Sequence, residues 1–179
     1  IFNEVSFLPD LLLKLKHYHS IGNEIIIIDD GSNDGSREIL LKCSFIKLIY
    51  FKSNRGKGIA LKKGISKANY KAIIIFDGDL ELDPFEIEKL MILDKSKNIH
   101  YVLGTRFKKN KINFTLWDLG NFFITKIFNF KFNTQIQDSL CCAKSFYLKI
   151  LKNQDLVSTK FDIDVEIAIQ LILYNENIN

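Results

Sequence analysis

The chain has 179 residues, 47% hydrophobic and 26% charged, a composition that supports one domain with a buried core and excludes a largely disordered chain. Its 25 basic and 21 acidic residues give a net charge of +4, too small to argue for a nucleic-acid partner. Three cysteines, Cys43, Cys141 and Cys142, lack metal-ligand spacing and fit a reducing, cytoplasmic compartment rather than a zinc site.

Residues 8–18 (LPDLLLKLKHY) predict a helix. EIIIIDD (24–30) is a short apolar run that ends in acids, the pattern of a buried parallel strand. SNDGSREILLKC reads as a turn and then a helix with an Asp or Ser cap. IKLIYF (46–51) predicts a second strand, GKGIALKKGISKA (56–68) a glycine-opened helix, and YKAIIIFD (70–77) a third strand. PFEIEKLMILD (84–94) predicts a helix with Pro84 near its first turn, and YVLGTR (101–106) a fourth strand. FTLWDLGNFFITKIFNFKF predicts an aromatic-rich helix, and FDIDVEIAIQLILYN a last one. No run of about 18 apolar residues is present, so no transmembrane helix is expected, and no signal peptide is visible. The chain opens at IFNE without Met and stops at LYNENIN, which reads as a single domain over 1–179 truncated at both ends.

This alternation predicts a parallel, right-handed α/β sheet that binds its ligands at the carboxyl ends of the strands. Those ends are acidic: Asp29 and Asp30 follow one strand, and Asp77, Asp79 and Glu81 follow another. Such a cluster is costly unless a metal, a basic ligand or open water offsets it. Neither GxGxxG nor GxxxxGK[ST] follows a strand, which disfavours ordinary dinucleotide binding and P-loop chemistry. Arginine is scarce. Arg106 ends a strand, where its planar fork suits a phosphate clamp, with a surface ion pair as the alternative. Arg55 and Lys57 open a helix, facing either a nucleotide diphosphate or solvent. Trp117, Phe122, Phe123, Ile127 and Phe130 can share one helix face, which either packs in the core or meets a bilayer surface beside Lys126 and Lys131. His17, His19 and His100 lie outside all these motifs and read as surface or structural groups.

Taken in order, NE (3–4), IIIIDDGSNDGS (25–36), NRGKGIALKKGI (54–65), FDGDLELDP (76–84) and GTRF (104–107) resemble the nucleotide-sugar domain of family 2 glycosyltransferases. The resemblance spans nearly the whole chain. It implies the GT-A fold, an α/β arrangement with a mostly parallel central sheet flanked by helices. It also implies an inverting transfer from a UDP- or GDP-sugar with Mg²⁺ or Mn²⁺. By the same resemblance Asn3, Glu4, Asp29 and Asp30 hold the nucleobase and ribose, with Gly31 giving a tight turn beside them. Asp79 is the expected metal ligand and a catalytic residue. Asp77, beside Gly78, meets the ribose or the metal, and Glu81 completes the shell.

IQDSLCCAKSFYLKIL (136–151) resembles the D-x-x-T-C-Y-K-x-F element of the polyprenol-phosphate branch, with Asp138, Cys142, Lys144 and Phe146 in register. FDIDVEIAIQLI resembles that branch's following F-x-x-E-I element through Phe161 and Glu166. Two departures stand out: CCA replaces TCY at 141–143, and Gln170 stands where the branch often has lysine. The branch implies a polyprenyl or dolichyl phosphate acceptor at the cytoplasmic face of a membrane. Arg106 and Lys144 then hold the acceptor phosphate, Glu166 lines the substrate site, and Asp138 positions groups. With a saccharide hydroxyl as acceptor, Asp138 becomes the general base. Rival readings are a non-catalytic nucleotide-sugar-binding domain and a nucleotidyltransferase, the latter lacking its basic glycine-rich loop.

Overall fold

Side chains of adjacent strand residues point to opposite faces, and strand β1 (Ile26–Asp29) uses both. Ile27 packs with Leu8, Leu11 and Leu12 of helix α1 (Leu8–Ser20) and Leu40 of helix α2 (Ser36–Leu40). Ile28 faces the other way, against Gly64 of helix α3 (Lys57–Ile65), where an added methyl would sit 3.4 Å from its side chain. The computed structural model describes residues 1–106, 116–151 and 154–176, without the side chains of 116–118 and 175–176.

Strand β1 pairs in parallel with strand β2 (Lys47–Tyr50), Ile27 opposite Leu48. The expected parallel unit, with helices on both faces, is therefore present. Strand β3 (Ala72–Ile75) and strand β4 (Tyr101–Leu103) both pair antiparallel with strand β5 (Lys144–Tyr147), which lies between them. Strand β5 falls inside the CCAKSFYL segment, which the sequence patterns did not mark as a strand. Because both run against β5, β3 and β4 point the same way, and their carboxyl ends reach one edge.

Helix α4 (Leu116–Phe132) and helix α5 (Ile163–Glu176) complete the chain. Ile163, Ile167 and Leu171 of α5 pack on Ile75 and Phe146 of the second sheet, and Ala168 and Ile172 pack on Phe128 of α4. Burying such apolar side chains contributes about 1.5–3 kcal/mol each, which makes α5 the main cover of that sheet. Among the described residues no helix is long and apolar enough to cross a membrane.

Two local expectations change. Residues 84–94 do not form an α-helix. A 3-10 helix runs from Pro84 to Leu90, started by Asp83, whose carboxylate accepts from the Phe85 N–H at 3.0 Å. The chain then turns back through an Asp94–Ile99 bridge, with Asp94 accepting from the Ser96 N–H. Core packing also fails as the reading of the aromatic helix face. Phe122, Phe123, Ile127 and Phe130 are exposed, and the Trp117 side chain lies outside the described residues.

Candidate donor site at the carboxyl ends of the strands

The turn after β1 is built from its own polar side chains. Asp29 is fully buried: its Oδ1 accepts from the Ser32 N–H at 2.9 Å and its Oδ2 from Arg37 Nε at 2.8 Å. Burial opposes its charge, but the Ser32 hydrogen bonds and Arg37 outweigh this and hold the carboxyl below its ordinary range. Arg37 reaches on to the Phe51 carbonyl at 2.7 Å and stacks over Tyr50. This corrects the expected ribose or base contact for Asp29, since no face of its carboxylate reaches the surface. Arg37, one of the three arginines, was the available signal for this buried pair.

Asp30 ties the turn to the next loop, its two oxygens accepting from the N–H groups of Arg55 at 2.8 Å and Gly56 at 2.9 Å. Gly31 has φ +86°, and a Cβ there would lie 2.4 Å from the Ser53 carbonyl carbon, so only glycine lets the two loops meet. Asn3, also at positive φ, accepts from the Asn33 N–H through its side chain and donates its own N–H to Ser32. Asp34 fastens the same corner, accepting from Val5 and Ser36 N–H groups. The NE and DDGS motifs thus form one interlocked wall.

That wall leaves the Glu4 carboxylate without a hydrogen-bond donor among the described residues. Burial and then the negative charge of Asp79 raise its pKa above the ordinary carboxylate value, with Asp34 and Asp77 adding to the effect. The acids of NE and DGD therefore lie within one another's field. Gly78 brings DGD close to the first residues, since a Cβ on it would lie 2.5 Å from the Ile1 side chain.

The site's cations divide into paired and open groups. Lys57 Nζ sits 2.6 Å from Asp77 and 2.8 Å from Asp164, under the Phe161 ring. Burial opposes its charge, but the two carboxylates outweigh it and keep the ammonium protonated well above its usual range. Lys57 is thus neither solvated charge nor a freely placed phosphate ligand. Arg55 is exposed, lies over the Phe51 ring and has no acidic partner among the described residues. Arg106 grips Asp138 by two prongs, Nε to Oδ2 at 3.0 Å and Nη2 to Oδ1 at 3.2 Å, and approaches Glu81 at 3.6 Å. The Asp138 carboxylate is buried and also accepts from the Leu140 N–H at 3.0 Å. Phe107 of the GTRF motif lies outside the described residues.

Two expected acceptor-side contacts are corrected. Lys144 is 1% exposed, with its Nζ on the Cys141 carbonyl and 3.5 Å from Asp164, so it cannot reach an acceptor phosphate. Its place on β5, between Ile75 of β3 and Leu103 of β4, explains this. Glu166 spends both oxygens on the N–H groups of Val157 and Ser158, at 2.8 and 2.9 Å. These bonds outweigh burial and hold its pKa below the ordinary value. The strap so fixed packs on the start of α3, where the Gly58 N–H donates to the Thr159 carbonyl at 3.0 Å. Asp164, partner to both Lys57 and Lys144, carried no motif and was missed by the sequence patterns.

Among the described residues no three candidate ligands alone form a metal cage. The donor set still fits a hard divalent ion. Asp79 uses one oxygen on the Glu81 N–H at 3.0 Å, and Asp77 meets Lys57 through Oδ2. Each therefore retains an oxygen for an ion whose other ligands are diphosphate and water, the usual mode for Mg²⁺ at phosphate sites.

This combination defines a GT-A sugar-nucleotide transferase domain, and comparison with known proteins gives the family. The model of glycosyl transferase family 2 matches residues 1–153, and the chain belongs to that family. It is 36% identical over 103 residues to a poly-beta-1,6-N-acetyl-D-glucosamine synthase of Staphylococcus epidermidis, covering 54% of this chain and 24% of the relative. It is 35% identical over 99 residues to an undecaprenyl-phosphate 4-deoxy-4-formamido-L-arabinose transferase of Salmonella paratyphi B, covering 51% of this chain and 30% of the relative. The matched stretch thus spans about a quarter to a third of these relatives. Glucosyl-3-phosphoglycerate synthase from Mycobacterium tuberculosis, solved with Mn²⁺, UDP-glucose and glycerol 3-phosphate, superposes with a TM-score of 0.76 at 15% identity, over 97% of this chain and 63% of that one. Its complex with UDP gives the same score. These neighbours establish the fold.

Proposed function

We propose that this domain transfers a sugar, with inversion, from a nucleotide-diphosphate sugar to a polyprenyl-type lipid phosphate at a cytoplasmic membrane face. The observation that carries the donor half is the convergence of Glu4, Asp77 and Asp79, whose charges act on one another. Glu4 and the Gly31 turn receive the nucleoside, and Arg55 meets the diphosphate. Asp79, with Asp77, would hold Mg²⁺ or Mn²⁺, which when bound neutralises the diphosphate as it leaves. The Mn²⁺ and UDP-glucose bound by the structural neighbour support this assignment.

The acceptor phosphate oxygen attacks the anomeric carbon, the bond from that carbon to the diphosphate oxygen breaks, and the nucleoside diphosphate takes the electron pair. An ionised phosphate needs no base. Asp138 suits that chemistry, because both its oxygens are engaged by Arg106 and it is out of solvent. It positions Arg106, whose remaining donors face the acceptor phosphate. The Salmonella relative, named for undecaprenyl phosphate, supports this acceptor class.

The Staphylococcus relative favours a second reading, transfer to a saccharide hydroxyl. Asp138→Asn separates the two. Transfer of labelled sugar to undecaprenyl phosphate should fall by no more than about tenfold in this variant, because Arg106 is partly exposed, keeps Glu81 beside it and can still bond the asparagine oxygen. A hydroxyl acceptor without its base should lose about 10²–10⁴-fold. Absence of transfer to the lipid phosphate by the unaltered enzyme, with transfer to an oligosaccharide, would replace the first reading by the second.

A further inference from the structure

Helix α4 inverts the usual pattern of a surface helix. Its inner positions are Thr125 and Phe128, both buried, with Asn129 tied to Ile136 and Thr134. Its outer face should be polar. Instead Phe122, Phe123, Ile127 and Phe130 are exposed there, Phe130 by 93% and Phe123 by 66%. The polar groups on that face are cationic: Lys126, which lies 4.7 Å over the Phe122 ring, and Lys131.

The charge of the sequence that carries the helix is equally one-sided. Residues 107–133 contain five lysines against one aspartate, which equals the +4 of the entire chain, so the other residues balance to zero. Contiguous exposed apolar surface marks an interaction site. A protein partner for exposed rings with lysines would have to supply both an apolar groove and an acidic rim. An anionic lipid surface supplies both at once, acyl chains for the rings and headgroup phosphates for the ammoniums.

We infer that the outer face of α4 is a membrane-docking surface, seated in the interfacial layer of an anionic bilayer with Phe123 and Phe130 inserted and Lys126 and Lys131 at headgroup level. The inference stands apart from the acceptor assignment, because it concerns the bulk lipid and a face distinct from the donor site.

Flotation of the full chain with phosphatidylcholine vesicles, with and without phosphatidylglycerol, tests it, no polyprenyl lipid being present. The chain should float with anionic vesicles and much less with neutral ones. Phe123→Ser/Phe130→Ser should weaken binding by about tenfold or more. Each of Lys126→Gln and Lys131→Gln should weaken it about fivefold at low salt. Because all four side chains are exposed, the variants should keep the parent thermal midpoint and nucleotide affinity. Failure to float with anionic vesicles, or undiminished binding by the double serine variant, would overturn the inference. So would a dimer that Phe123→Ser/Phe130→Ser dissociates while vesicle binding is absent. Vesicle binding without transfer to a lipid phosphate would leave the docking surface standing and refute only the acceptor reading.

Discussion

Asp79→Ala should lower sugar transfer by about three orders of magnitude, the equivalent of several kcal/mol of charge stabilisation on a departing diphosphate. The fold should survive, because among the described residues the Asp79 carboxylate bonds only the nearby Glu81 N–H. Stability should even rise slightly at neutral pH. The Asp79 charge helps raise the Glu4 pKa, so the folded state holds a proton on Glu4 more tightly than the unfolded chain does. Stability then falls as pH rises through the window above the ordinary carboxylate value. Removing Asp79 relieves that repulsion, and the gain should vanish at acidic pH, where Glu4 is protonated in both states. Thermal midpoints of both proteins at acidic and neutral pH, measured beside turnover, check both parts. Substantial turnover in the variant would remove Asp79 from its assigned role.

Asp164→Ala should show the opposite balance. Asp164 is buried and serves two cations, Lys57 at 2.8 Å and Lys144 at 3.5 Å. Without it, Lys144 keeps only the Cys141 carbonyl while 1% exposed, and Lys57 keeps only Asp77. Leaving a buried charge uncompensated costs about 3–5 kcal/mol, which in a domain of this size lowers the thermal midpoint by roughly 10 °C. Calorimetric melting of the variant measures this directly. Adding Lys144→Met should recover part of the loss, since an apolar side chain of similar length needs no counter-charge. An Asp164→Ala midpoint within a degree or two of the parent would show that these lysines find other partners.

Together the two variants separate the acids that act from those that hold the site in shape. The sequence could not make that distinction. Asp29, Asp30, Asp77 and Asp79 look alike at strand ends, yet the first is sealed by Arg37 and Ser32 and the second clamps the loop at 55–56. Only the outer acids stay open to a ligand. Strand ends and helix starts in the first half were legible because β1, β2 and β3 are short apolar runs with polar boundaries. Strand β5 was not, because its buried lysine and serine break the apolar pattern. Lys144 Nζ and Ser145 Oγ satisfy themselves internally, the latter on the Leu90 carbonyl at 2.6 Å. Helical periodicity located α4, but only packing against α5 decided which of its faces is buried.

On this reading the carboxylates at the end of β3 bind a nucleoside diphosphate through a divalent ion. Isothermal titration with UDP and with GDP, each with and without Mn²⁺, tests it most directly. One of the two nucleotides should bind at least about tenfold more tightly with Mn²⁺, as expected when an ion must bridge two anionic groups. Equal affinity with and without the metal, or no binding of either nucleotide, would contradict it.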